Sequence, residues 1–569
     1  MDDRLSSLVP QPVSVAPLSG QLALDACPDV RPAGPADESA ALAVRHLLGG
    51  LPWLQPVAGH NDGARCTVAI DSGLGAEAYR LAIQPDGITI TAGDQAGAVY
   101  AAQTIRQLLP DEAWRAASLP GTERWTVPCT QIDDRPALSW RGAHIDVARH
   151  FVPKRELLAL IDALAAVKLN RLHLHLTDDQ GWRIESRRHP ALHEVGSHRP
   201  SSQVSLNTER PKIYDDIPHG GYYTLADLAE FAGYAEQRGM ALVPEIDLPG
   251  HSTALLAALP ELGAGLPPEG GYRVSPDWGI LGNLVAPLPA TMTVLRDVLG
   301  ELIAATGARY VHIGGDECVL DSWRADARIR ASQHDRGLAT AEDLHAAFLR
   351  DIADMLAGDF AARAVVWDEG FASGGGAMLR PDTVVMAWRG MGVARAAAEA
   401  GHDVVVVPVQ PTYFDYAQEC TESEPVAIGG PVRLADVAGF VPVPADWPAA
   451  VRGRVLGTQF QVWTEYIQDG RALEYMMFPR ACALAEVAWS GGPSSLTGDG
   501  GGSQRGSALQ SRIAAHLRRL DAAGLEYRPL AGPRPWQQGG SGPRRHRPGY
   551  RVADVGVHLA ELAAGDGHA

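Results

Sequence analysis

The run "RGAHIDVARHFVPKRELLALIDALAAVKLNRLHLHLTDD", residues 141–179, reads as strand, helix, strand. "RGAHID" (141–146) is short and mostly apolar, and "RLHLHL" (171–176) alternates at period two. Between them "KRELLALIDALAAVK" (154–168) carries apolar residues at helical spacing. Two strands joined through a helix form the unit of a parallel sheet.

Working outward, the same alternation continues. Further strand candidates are "ALVPEID" (241–247), "YVHIGGDE" (310–317), "AVVWDE" (364–369), "TVVMAW" (383–388), "DVVVVP" (403–408) and "VLGTQFQVW" (455–463). Helical stretches such as "ATMTVLRDVLGELIAAT" (290–306) separate several of them. Eight such units predict an α/β fold, a (β/α)8 TIM barrel with enlarged loops, over residues 139–530. A helix near 508–523 is expected to close it. Residues 1–138 read as a smaller α+β domain. "YRLAIQPDGITITAG" (79–93) is a hairpin turning at Asp86-Gly87, and "DQAGAVYAAQTIRQLLP" (94–110) is a helix stopped by Pro110. The glycine-rich stretch 491–507 is expected to be mobile, and the tail 531–569 disordered.

The 569 residues carry a net charge of −18, which argues against nucleic acid or an anionic membrane as partner. No apolar run approaches the ~20 residues of a membrane span. The start, "MDDRLSSLVPQPVSVAPLSG", lacks the basic and apolar regions of a secretory signal, and the six scattered cysteines show no paired spacing. A cytoplasmic enzyme is the expectation.

Polar residues recur where the strand candidates end, the face on which barrel enzymes carry their chemistry. Asp146 and Arg149 follow the first, Asp178 and Asp179 the second, Glu245, Asp247 and His251 the third. Asp316 and Glu317 end the fourth, Trp367 and Asp368 the fifth, Trp388 the sixth; Tyr413 and Asp415 follow the seventh, Trp463 and Glu465 the eighth. Singly, each has a bland reading as a solvated loop carboxylate or a core aromatic. Together they predict an acidic, aromatic pocket. Indole faces stack on sugar rings while carboxylates and arginine bind hydroxyls, so the pocket points to sugar chemistry. Two adjacent acids hinder each other's ionisation, which suits Asp316 and Glu317 to acid–base work. A rival reading takes His173 and His175, two apart on one strand face, with Asp178 and Asp316 as a hydrolytic metal site. A third is a non-catalytic glycan-binding barrel.

"RGAHIDVARHFVPKRELLALIDALAAVKLNRLHLHLTDDQGWRIE" (141–185), "VPEIDLPGHS" (243–252), "HIGGDE" (312–317), "VVWDE", "MAWRG", "PTYFDY" and "VWTEY" occur in order. They resemble glycoside hydrolase family 20, the β-N-acetylhexosaminidases, and the N-terminal domain is similar to the small domain preceding that family's barrel. The resemblance implies exo-acting release of terminal β-linked GlcNAc, or GalNAc, from small glycans such as chitooligosaccharides, without cofactor or metal. It implies substrate-assisted retention, in which the substrate's 2-acetamido oxygen is the nucleophile. By the same resemblance Glu317 is the acid and then the base, Asp316 steadies the acetamido nitrogen, and Tyr413 bonds the acetamido oxygen. Trp367, Trp388 and Trp463 wall the sugar. Arg149, Asp415 and Glu465 bind its hydroxyls, and Asp178 and His251 support the acid from behind. His173, His175, Asp146 and Asp247 are then expected to be buried, hydrogen-bonded groups beneath the site. Trp182 is left unassigned, and 193–221 is a loop near the mouth.

Overall fold

The computed structural model describes residues 2–24, 27–49, 64–117, 125–493 and 509–540. The N-terminal part is one mixed six-stranded sheet: β1 (Ser14–Leu24), β2 (Asp29–Pro32), β3 (Arg65–Ile70), β4 (Tyr79–Gln84), β5 (Gly87–Ala92) and β6 (Trp125–Asp134). Its spatial order is β1-β6-β4-β5-β3-β2. The expected hairpin is β4–β5, closed by the Gln84–Gly87 pair. A side chain at Gly87 would sit 2.8 Å from the Arg65 carbonyl of β3, so the turn needs glycine for this close approach. Helices α1 (Glu38–Gly49) and α2 (Gln95–Leu108) pack on the sheet. Asp94 caps α2 by accepting the Gly97 N–H at 2.8 Å.

All eight predicted barrel strands form: β7 (Trp140–Asp146), β8 (Arg171–His175), β9 (Ala241–Leu248), β10 (Tyr310–Gly314), β11 (Arg363–Trp367), β12 (Val384–Ala387), β13 (Val404–Val406) and β14 (Val455–Phe460). They pair in parallel in chain order, and β14 pairs with β7 to close the ring. Their residues are almost all buried, because helices cover the outside and side chains fill the inside. Trp140, Val243, Val365, Trp367 and Met386 are part of the interior apolar plug.

The outer layer is less regular than the strands. Full-length helices α3 (Lys154–Ala166), α4 (Leu225–Glu236), α5 (Pro289–Thr306), α6 (Ala341–Phe360) and α7 (Met391–Glu399) follow β7, β8, β9, β10 and β12. After β11 the helix shrinks to Asp368–Ala372, and after β13 only short helical pieces stand in a proline- and glycine-rich stretch. The ring is sealed by α8 (Arg480–Ser490), whose residues apart from Arg480 and Glu486 are small or apolar and which is nearly all buried, packed against β7 and β14. The helix expected to seal it, α9 (Leu509–Ala523), lies outside α8 instead. Its arginines decide that position: Arg512 pairs with Glu486 at 2.8 Å and donates to the Leu8 carbonyl, and Arg519 donates to Ser7 Oγ at 2.6 Å.

The two parts meet through buried polar groups. Arg141 of β7 is fully buried and donates to Glu77 at 2.8 Å and Tyr100 at 3.1 Å. Lys168 Nζ donates to Asp134 and to the Tyr79 hydroxyl, both at 2.8 Å. Trp489 of α8 donates to Asp134 at 2.8 Å and packs edge-on against Tyr100. Beyond α9, residues 531–540 are ordered where disorder was expected. Gln537 and Gly539 tie them down by donating to the carbonyls of Tyr527 and Ser423. The rest of that tail, 541–569, and 494–507 of the glycine-rich stretch lie outside the described residues.

Candidate active site

Strand β10 ends in Gly314 (φ 69°) and Gly315 (φ 106°), and Glu317 two residues on has φ 50°. This left-handed backbone turns Asp316 and Glu317 into the mouth of the barrel. Glycine is required at 314 because a side chain there would fall 1.7 Å from Asp247 Oδ1. Glu317 bears a left-handed strain that an ordinary residue avoids, and His251 (φ 49°), which faces it, bears the same.

The mouth holds a cavity of about 480 Å³. Asp316, Glu317, Tyr413, Arg149, Trp367, Trp388, Asp415, Trp463 and Glu465 all line it, as does His251. Asp178 stands just behind. It accepts from Arg149 at 2.8 Å and lies 2.7 Å from His175 Nε2 and 3.2 Å from His251 Nδ1. On its other edge His251 Nε2 lies 3.4 Å from Glu317 and 3.8 Å from Asp316. Burial alone would depress the His251 imidazole, but Asp178, Asp179 and Glu317 outweigh it and hold it well above its ordinary range. A cation therefore stands between the carboxylates of the mouth and those beneath.

The layer below converges on Glu245. Its oxygens lie 2.7 Å from His175 Nδ1, 3.0 Å from His173 Nε2 and 2.9 Å from His312 Nδ1, and accept the Trp367 indole N–H at 2.9 Å. Burial would raise the Glu245 carboxyl, yet His312, His175 and His173 hold it well below the usual range. This layer fixes Trp367 in the cavity wall. Trp388 is fixed by donating its indole N–H to Glu369 at 2.7 Å. Trp463 is fixed by stacking on the Arg149 guanidinium, 5.0 Å from the ring centre. Arg149 also donates to Gln180 and reaches Asp146. Burial would weaken its charge, but Asp178, Asp146 and Glu465 reinforce it.

Four acids in the cavity resist ionisation, Glu465 among them because burial raises it. Burial, then Asp247, pushes Asp316 well above the carboxylate range. Burial and Glu465 do the same to Asp415. Burial raises Asp247 to about 7. Burial and Asp415 keep Tyr413 a hydroxyl donor.

Asp146 is the bonded structural group expected, accepting from Ala148, Arg149 and Thr464 backbone N–H groups at 2.8–3.0 Å. Asp247 is not. It lines the cavity with neither oxygen hydrogen-bonded, because the turn of β10 presses Gly314 and Asp316 against it and leaves no donor in reach. Trp182 is buried beneath, its N–H on the Ile184 carbonyl. The rival metal set is not assembled. Among the described residues the triads that could hold an ion include Asp247–His251–Asp316 and His144–His173–Glu245, but none joins His173 or His175 to Asp316. Both ring nitrogens of His175 are already engaged.

Sequence reasoning missed part of the cavity wall, Trp278, Ile280 and Asn207 among it. They sit on loops without periodicity. Trp278 is held by its N–H on the Gln203 carbonyl, and Asn207 by its backbone N–H on the Tyr466 hydroxyl. Tyr466 was legible only as the last letter of "VWTEY".

With this geometry in hand, comparison with known proteins is direct. Residues 138–492 match the model of the glycosyl hydrolase family 20 catalytic domain, and 5–135 that family's domain 2. A β-hexosaminidase of Porphyromonas gingivalis is 36% identical over 73% of this chain, which spans about half (51%) of that relative's length. A β-hexosaminidase of Vibrio furnissii is 33% identical, covering 84% of this chain and 76% of its own. Among solved structures, the exo β-N-acetylglucosaminidase of Vibrio harveyi in complex with N-acetylglucosamine superposes with a TM-score of 0.76 at 30% identity, over 92% of this chain and 78% of that one. The hexosaminidase of Streptomyces plicatus gives 0.72 at 30% identity, over 93% and 98%. An eight-stranded barrel with a carboxylate pair at the end of its fourth strand, a sheet domain before it, and both family models matched in order lead to one conclusion: the chain belongs to glycosyl hydrolase family 20.

Proposed function

We propose that this chain is an exo-acting, retaining β-N-acetylhexosaminidase that removes terminal β-linked N-acetylhexosamine from small glycans, chitooligosaccharides among them. One observation carries the reading. The second carboxylate, Asp316, stands beside Glu317 on the same imidazole edge of His251, not across a sugar ring from it. A conventional retaining pair flanks the scissile bond from two sides, ~5 Å apart. An adjacent carboxylate is instead placed to meet the 2-acetamido group.

In the first step Glu317 gives its proton to the glycosidic oxygen while the acetamido carbonyl oxygen attacks C1. The C1–O bond breaks, the alcohol departs, and an oxazolinium ion remains. The positive charge developing on nitrogen draws Asp316, which burial alone disfavours as an anion, into its ionised form; that carboxylate stabilises the charge, and Tyr413 donates to the acetamido oxygen. Trp367, Trp388 and Trp463 hold the acetamide against C1, so the attack needs no search. In the second step the Glu317 carboxylate takes a proton from water, which attacks C1 and reopens the ring with retention. Arg149, Asp415 and Glu465 grip the terminal hydroxyls and restrict the site to chain ends. The six unpaired cysteines suit a reducing, cytoplasmic setting.

The test is turnover of an aryl N-acetyl-β-glucosaminide by wild type, Glu317→Gln and Asp316→Asn. Each substitution is expected to lower kcat by about 10²–10⁴-fold, the usual worth of a proton donor or charge stabiliser. The 2-hydroxy counterpart of the substrate is expected to be nearly inert. Equal rates on the two substrates would sink the substrate-assisted mechanism.

A further inference from the structure

A second cavity of about 500 Å³ lies on the far side of Glu317. It shares Glu317 and Ile280 with the sugar cavity and is otherwise built from the segment after the catalytic pair and from α6 and the β11 end. Glu317 is thus a wall between two spaces. On the function proposed above, the sugar losing its bond occupies the first. The group that receives the Glu317 proton has the second cavity within reach of the same carboxyl. We propose that the second cavity is the leaving-group subsite, and that its surplus of carboxylates makes the enzyme prefer neutral or ammonium-bearing leaving groups over anionic ones.

Its rim is apolar where Ile280 and Val319 are exposed, suited to the face of a sugar ring. Its sides are acidic. Asp321, Glu342 and Glu369 line it, with Glu317 at the partition. Against them stand two basic side chains. Arg324 is taken by its neighbours, donating to Asp321 at 3.0 Å and to Glu342. His345 is turned inward between Ser373 and Cys318, and burial lowers it to about 4, so it carries no charge near neutrality. Glu369 joins the two cavities: one oxygen holds the Trp388 indole of the sugar wall while the side chain faces the second cavity. Burial and Asp368 push its carboxyl well above the usual range, so it can donate to a hydroxyl of the leaving group. Glu317 carries its proton when the leaving group is bound, so the charge is set by Asp321 and Glu342, which outnumber Arg324. A carboxylate on the leaving group meets net repulsion here and an ammonium net attraction. Through half-exposed surface each is worth about three- to tenfold in kcat/KM.

The experiment compares three β-1,4 disaccharides with the same terminal GlcNAc, followed by GlcNAc, glucosamine or glucuronic acid, with an aryl N-acetyl-β-glucosaminide as reference. Expected kcat/KM runs glucosamine above GlcNAc above glucuronic acid, spanning tenfold or more. The double variant Asp321→Asn, Glu342→Gln leaves Arg324 unpaired. It is expected to raise the glucuronate-to-glucosamine ratio at least tenfold. Both side chains are well exposed, at 83% and 47%, and a ratio within one preparation is independent of the fraction folded. Ratios within twofold across the three substrates, unmoved by the double substitution, would overturn the subsite while leaving the proposed function standing. Absence of turnover on the aryl reference would overturn both.

Discussion

Asp247 is the residue whose replacement should make the protein sturdier. Its carboxyl is 2% exposed, has no hydrogen bond, and is raised by burial from 3.8 to about 7. The folded protein therefore holds a proton there that the unfolded chain releases at lower pH. The stability this proton contributes is complete below about pH 3.8 and is lost as pH rises through about 7. Each pKa unit is worth about 1.36 kcal/mol, so the loss by pH 8 approaches about 4 kcal/mol, with about half that as the floor once water and neighbours relax around the ionised group. Asp247→Asn keeps the shape, cannot ionise, and offers Asp316 an N–H. Its thermal midpoint is expected to match wild type near pH 4. Above that the variant gains about 1.4 kcal/mol of relative stability per pH unit up to pH 7, then levels. For a chain this large that is roughly 1 °C per pH unit if it unfolds as one cooperative body. Scanning fluorimetry of both proteins in one buffer series from pH 4 to 8 measures it. A gap that stays flat with pH, or a variant less stable at pH 8, would refute the premise that the site stores this cost.

Two further outcomes follow from the same contacts. Lys168→Met leaves Asp134 charged and buried at the domain seam, and is expected to cost about 3–5 kcal/mol, with most of it recovered by adding Asp134→Asn; denaturant unfolding would show both. Arg149→Lys cannot reach Gln180, Asp146 and Asp178 together and loses the stack on Trp463, so KM for an aryl N-acetyl-β-glucosaminide should rise about tenfold or more, checked by steady-state kinetics.

The barrel was legible because parallel strands buried on both faces read as continuous apolar runs, and each run stops at a polar residue aimed at the mouth. That is why Asp316, Glu317, Trp367 and Trp388 could be placed from their strands alone. The helix layer was less legible. The helix near 508–523 was expected to seal the ring, but α8 is the one buried on nearly every side, and the arginines of α9 find partners across the molecule, at Ser7, Leu8, Asp111 and Glu486. Asn207, Trp278 and Ile280 were invisible for a related reason: contacts between distant loops set their positions, and no local period announces them. Asp247 was misjudged because "VPEID" shows that the residue is interior, but only the turn at Gly314 shows that nothing bonds to it.

The seam between sheet and barrel bears on how the chain can be divided. The two family segments meet between residues 135 and 138, which invites a cut there. Yet the barrel side of that boundary presents Arg141, Lys168 and Trp489, each buried and each bonded across it to Glu77, Tyr79, Tyr100 or Asp134. A barrel expressed alone would face water with a sticky indole and two cations shaped for absent partners. The sheet alone would keep the matching anions. The pair behaves as lock and strike plate, and a chimera that swaps one half inherits the duty to re-cut the other.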